Sequence, residues 1–319
     1  MNSIQPTSTP ALEISVTAPL TQAIDRVKRV LFQPFDLGKW FVIGFCAWLA
    51  QLGESGGGGG GGNFNPGAGN HNGNGLAQQF DHAKEYAMSN LYWIIPVTVA
   101  VLLLCLAFGL LFTWLNSRGK FMLLHCVALN KAEVALPWNK FAREGNSLFW
   151  FRVVLGLIGL VLILPVVGLG VFVGIATFGH GEITAGGVAG FAGVVLVFAA
   201  VMLVFLLIRK FTMDFVVPVM FTRRCACREG WGIVRRLMAD NPGNILIYLL
   251  FQMVIAIVLG MFVMAVTLAT CCCCCLLLLP YISTVILLPV FVFHRAYSAY
   301  YIAQFGPEFD VFREEGSLR

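Results

Sequence analysis

Residues 245–293 contain no charged side chain in 49 positions. As one α-helix the stretch would be roughly 75 Å long, more than twice the ~30 Å hydrocarbon core of a bilayer. It therefore reads as two helices folded back on each other. The fold-back falls at a run of five cysteines, Cys271, Cys272, Cys273, Cys274 and Cys275, between apolar residues 245–270 and 276–293. Composition agrees with a chain dissolved in lipid. It is 58% hydrophobic and 12% charged, against about 45–50% apolar and 25% charged in globular domains.

Four more apolar stretches precede this pair, at 37–52, 91–115, 149–178 and 186–208. The first has only 16 residues, short of the ~20 that a bilayer needs. Tilt, local thinning or continuation to Gly53 would make up the difference. The fold class is thus all-α, a polytopic bundle of six transmembrane helices. Residues 1–19 lack the apolar core of a cleavable signal peptide. They read as a disordered tail, and the first span serves as the insertion signal. Residues 307–319 form a second tail. Residues 53–75, with an unbroken glycine run at 56–62, read as a flexible outer loop. No Lys-Ser/Thr follows the glycines, so they are not a phosphate loop. Residues 76–90 read as a surface helix. Gly170 with Gly174, and Gly186 with Gly190, have the spacing that lets membrane helices approach closely.

Charge placement sets the orientation. Of the 21 Lys and Arg, only Lys84 falls in the loops opposite the rest. Basic residues mark the cytoplasmic side, so both termini are expected there, in a plasma (inner) membrane. The same pattern suggests an internal repeat at about 20–130, 131–222 and 228–306. Each copy opens with a short basic amphipathic segment, at 20–32, 137–144 and 228–239. In the first, Leu20, Ile24, Val27 and Leu31 form the apolar stripe, with Arg26 and Arg29 on the far face. Breakers follow each segment: Gln33-Pro34, Gly145-Asn146-Ser147 and Asn241-Pro242-Gly243. Then come an apolar hairpin and an exit carrying arginine and aromatics: Arg118-Gly119-Lys120-Phe121, Arg209-Lys210-Phe211 and Arg295-Ala296-Tyr297.

This arrangement, used three times, resembles the membrane domain attached to some glycerophosphoryl diester phosphodiesterases and related bacterial polytopic proteins. The resemblance implies a membrane module. The chain lacks the soluble barrel that carries phosphodiester hydrolysis, so no activity comes with the likeness.

Candidate sites are few. Arg118, Arg209 and Arg295 occupy matching exits. If they converge, their planar donor forks suit a phosphate or lipid headgroup; otherwise they snorkel as topology determinants. Asp214 sits in an unusually apolar setting and needs a partner, with Arg209 or Arg118 in reach by sequence. It reads as a structural ion pair before a coupling carboxylate, since one carboxylate makes a poor relay. Trp138, Trp231, Arg235 and Arg236 read as interfacial anchors of the amphipathic segments. The five-cysteine run is read first as small apolar packing and only then as a soft-metal site, because consecutive helical residues point around the axis. Cys225-Ala226-Cys227 lacks the second pair of a zinc site. His125 and His294 border membrane exits. No HExxH, GxSxG or paired acidic motif is present. The expected protein is non-enzymatic, without cofactor or nucleic-acid partner. It acts as a lipid-interacting or scaffold module that favours anionic lipid. A small transporter or channel is the alternative, and a membrane-embedded enzyme on lipids the third reading.

Overall fold

The computed structural model describes residues 14–53, 91–178, 185–269 and 280–313. The described chain is helical, without strands. Helix α1 (Ala18–Val27) leads into a π-helical turn (Lys28–Phe32), then α2 (Leu37–Gln51) and α3 (Leu91–Leu129). Next come α4 (Ala135–Lys140), α5 (Ala142–Phe178) and α6 (Ala185–Phe211). A second π-helical turn (Thr212–Val216) joins α6 to α7 (Val217–Arg223), followed by α8 (Cys227–Asp240) and α9 (Pro242–Ala269). The last are α10 (Pro280–Ile286) and α11 (Leu288–Ala303). The cysteine run 271–275, most of the 53–75 loop and residues 76–90 lie outside the described residues.

Four helical stretches are long and apolar enough to cross a membrane: Tyr92–Leu129, Ala142–Thr177, Ala185–Arg223 and Pro242–Val266. Their apolar side chains point away from the protein, with Leu102 64%, Leu157 61%, Leu196 70% and Met261 69% exposed. Such surface is at home only in an apolar solvent. The expected breakers Gly145-Asn146-Ser147 do not break the chain. Helix α5 runs through them, and the interruption falls at Phe141 instead. Pro242 does start a helix, in the first turn where its missing N–H costs nothing. The expected last span is described only from Pro280, and there the helix is interrupted at Leu287.

The chain divides into two compact units, residues 51–116 and the remainder. In the smaller, the Asn116 amide donates to the Leu52 carbonyl at 2.9 Å. Gly53 adopts a left-handed φ of +78° there, as expected where a helix ends.

The core of the larger unit is not in the apolar hairpins. It is built from the segments that continue beyond them. Phe121, Met122 and Leu124 of α3, Phe215, Val219 and Met220 around α7, and Leu288, Tyr297 and Tyr301 of α11 are almost wholly buried. Helix α2 belongs to this core. Its Ile43, Cys46 and Ala47 are fully buried. It runs antiparallel to the end of α3, with Lys39 Nζ 2.7 Å from Asn130 Oδ1 and Cys46 Sγ 3.8 Å from Cys126 Sγ. Trp40 Nε1 donates to the Val285 carbonyl at 2.9 Å, tying α2 to α10. A 15-residue helix is about 22 Å long. It is shorter than the bilayer core of about 30 Å, and one face of it is packed within the protein.

Helix α1 corrects a second expectation. Its buried face is Pro19, Ala23 and Arg26, followed by Val30 and Leu31. Ile24, expected inside, is 41% exposed, and Arg26, expected outside, is 2% exposed. Arg26 donates to the Val127 and Ala128 carbonyls at 2.8 and 2.6 Å and lies over the Phe312 ring. It thereby caps the end of α3, where helix carbonyls lack partners and a cation is favoured. Asn130, left-handed at φ 55°, terminates that helix.

Helices α5 and α6 form an antiparallel hairpin that uses its glycines. A methyl group at Gly159 would lie 3.3 Å from Phe205, at Gly170 3.4 Å from Val194, and at Gly174 3.5 Å from Phe191. Among the described residues nothing lies within 4 Å of a methyl group at Gly186, while one at Gly190 would lie 3.8 Å from Val173.

The tightest approach is at Gly119, where an added Cβ would lie 2.7 Å from backbone atoms of Leu49 and Ala50. Backbone cannot yield as a side chain can. Gly119→Ala should therefore destabilise the purified protein in detergent by about 1–3 kcal/mol. Gly156→Ala, with nothing within 4 Å, should be neutral or slightly stabilising. Equal unfolding midpoints for the two variants would contradict this packing.

Candidate functional site, a buried charged junction

Asp214 lies in the π-helical turn that follows α6. Such widened turns change the helical phase and recur at functional sites. Here the turn places a carboxylate 2% exposed among three helices. Lys210, one turn earlier on α6, brings its Nζ to 2.8 Å from Asp214 Oδ2. The Tyr248 hydroxyl of α9 donates to the same oxygen at 3.0 Å. Gln252 Nε2, one turn further along α9, donates to the Tyr248 oxygen at 2.8 Å. On the other side Lys210 Nζ is 3.4 Å from His294 Nε2 of α11. The result is a continuous chain of polar contacts, His294–Lys210–Asp214–Tyr248–Gln252, across α11, α6 and α9.

A carboxylate in an apolar core is tolerated only when paired and hydrogen-bonded. Asp214 has both. Around it the charge is predominantly positive. Arg295 Nη1 donates to the Met213 carbonyl at 2.8 Å, and Lys120 Nζ approaches Met213 Sδ at 2.7 Å. Aromatic rings seal the site, with Phe215–Tyr248 centroids 4.9 Å apart and Tyr248–Tyr301 4.4 Å apart. Two further tyrosines pin α11. Tyr297 donates to the Val16 carbonyl and Tyr301 to the Asn244 carbonyl. Burial pushes the Tyr301 hydroxyl up to about 12 and that of Tyr297 upward as well, so both stay donors at neutral pH.

The ion pair expected for Asp214 is present, but its partner is Lys210 rather than Arg209 or Arg118. The i, i+4 spacing brings two side chains to one helix face, and position 209 falls off that face. Tyr248 and Gln252 were not anticipated. The available signal was a lone amide in a charge-free run, one turn after a tyrosine.

The three exit arginines meet three different environments. Arg118 donates to Asn146 Oδ1 at 3.2 and 3.4 Å and stacks on Trp138 at 4.8 Å. Arg209 is exposed. Arg295 is buried in the junction. Trp138 therefore supports an arginine. Trp231 packs on Phe151, and its indole nitrogen is buried without a hydrogen-bond partner among the described residues. Arg235 and Arg236 are exposed on α8.

At the CxC pair, burial pushes the Cys227 thiol up to about 12 and raises Cys225 too. Neither is poised as a thiolate ligand. Among the described residues no group of three or more His, Cys, Asp or Glu could hold a metal ion. His125 is buried against Phe141 and Phe221, 3.9 Å from Glu133. Arg224 clamps this region, with its guanidinium 4.0 Å over Phe141, 3.5 Å from Glu144 and bonded to the Lys140 carbonyl.

A model described as a family of unknown function (DUF7544) matches residues 14–279. No curated protein and no solved structure matches the chain.

Removing one member of a buried pair leaves the other uncompensated. Asp214→Asn should therefore cost about 3 kcal/mol of stability, and Asp214→Asn with Lys210→Met should recover part of that loss. Unfolding in detergent reads both values, and additive losses would contradict the pairing.

Proposed function

The chain belongs to this family of unknown function, and from that premise we propose a non-enzymatic, lipid-interacting or scaffold module of the plasma (inner) membrane. In this reading six apolar segments in three related units enter the bilayer. Both termini and the basic segments lie on the cytoplasmic side, where anionic lipid is the partner. The observation that carries it is the division of surfaces. The long helices expose apolar side chains over most of their length, and the basic residues gather where that exposure stops. Helix α8 is the clearest case. It buries Gly230 and Val234 against the core and exposes Arg228, Arg235 and Arg236. A cationic face beside an apolar membrane surface is what an anionic leaflet attracts. The likeness to phosphodiesterase membrane domains supports the architecture alone.

Transport is the second reading, favoured by the charged junction, since ionisable groups near a membrane often mark a pathway. Two observations weigh against it. Asp214 is already paired with Lys210 and hydrogen-bonded by Tyr248. The groove of 510 Å³ along α5 and α6 is lined by apolar residues such as Val167, Gly170, Phe191 and Val194.

The test is lipid selectivity of the full-length protein in nanodiscs of mixed phosphatidylglycerol and phosphatidylcholine. The protein should retain phosphatidylglycerol on purification. Arg228, Arg235 and Arg236 changed to Gln should weaken retention by about fivefold per arginine at low salt. Changing Arg118, Arg209 and Arg295 to Gln asks whether the exits contribute. Retention unchanged in both sets would end the lipid reading.

A further inference from the structure

We propose that His294 is the proton-binding site of a latch that holds the membrane-proximal half of α11 against α6 and opens on acidification. The Lys210 ammonium has donors and no lone pair. Its contact with His294 Nε2 at 3.4 Å therefore requires that nitrogen to accept. The ring is then neutral, with its proton on Nδ1. Protonation turns Nε2 into a donor facing another donor and sets two cations side by side.

The surroundings favour the neutral ring. Lys210 from α6 and Arg295 from α11 are cations, and among the described residues Asp214 from the π-helical turn is the carboxylate facing them. Tyr248 from α9 is neutral and already donates to Asp214. Further along, Tyr297 and Gln304 bond the segment just before α1, at Val16 and Ser15, and Arg26 of α1 is turned to the carbonyls of α3. Burial, then Lys210 and Arg295, hold the His294 pKa below its ordinary value, with Asp214 opposing.

The sign follows. A histidine with a lowered folded-state pKa contributes its stabilisation above the ordinary imidazole value of about 6.5. That contribution is lost as the pH falls through the depressed value. The opening is local. Tyr297 and Tyr301 still tie the far half of α11 through hydroxyls that do not titrate in this range. The half that loosens carries Leu288 and Val292, both fully buried, and the end joined to α10. A proton would thus control how firmly this segment is held beside α6 and α9.

Amide hydrogen exchange of the full-length protein in nanodiscs tests the latch, with rates corrected for the intrinsic effect of pH. Between pH 7.5 and 5.5, protection at residues 288–296 should fall several-fold, while residues 298–303 change little. His294→Gln keeps a neutral acceptor and should abolish the pH effect while leaving protection at pH 7.5 intact. His294→Arg should be open already at pH 7.5. A pH response unchanged in His294→Gln, or none in the wild type, would overturn the proposal, even if His294→Arg fails to fold.

Discussion

Lipid removes the usual reason for helices to pack. Leucine gains nothing by leaving acyl chains for another leucine, so apolar spans alone do not specify how they assemble. In this protein specificity is supplied at the ends of the spans. Past their exposed apolar lengths the helices continue into buried rings, with Phe121 stacked on Phe141 and Phe215 packed against Tyr301. The long helices are then held at one end.

The same boundary explains where the charges lie. Arg26, Asp214 and Arg295 are all buried, an expensive choice in any core. Each meets a group that lipid cannot supply. Arg26 and Arg295 take backbone carbonyls at a helix end and at a π-helical turn, and Asp214 takes Lys210 and Tyr248. Such contacts are directional, so they select one arrangement among the many that apolar contact would permit. The Lys210–Asp214 pair further links α6 to both α9 and α11, which makes the junction a hub joining helices distant in sequence.

Periodicity was informative about helices and misleading about faces. The stripe Leu20–Ile24–Val27–Leu31 is real, yet the protein-facing side of α1 is one residue out of phase, at Pro19, Ala23 and Arg26. In water an apolar stripe points to the protein interior. At a membrane surface it can equally point to lipid, because both environments are apolar and hydropathy cannot distinguish them. The same ambiguity holds for α2, whose small face, Gly44, Cys46 and Ala47, is packed within protein. For Asp214, local spacing would have found Lys210. No local rule would have found Tyr248 or His294, which lie 34 and 80 positions away.

The amino-acid order by itself determined that the chain is helical, that lipid is its solvent and that its basic residues cluster at the ends of apolar runs. These properties follow from composition, length and charge, which act residue by residue. Only the tertiary structure decided which face of α1 is inside, that α2 joins a packed core, and that Lys210, Tyr248 and His294 gather around one carboxylate. Those outcomes depend on how separate helices meet, and in a solvent that does not discriminate between apolar surfaces that meeting is governed by a few directional polar contacts.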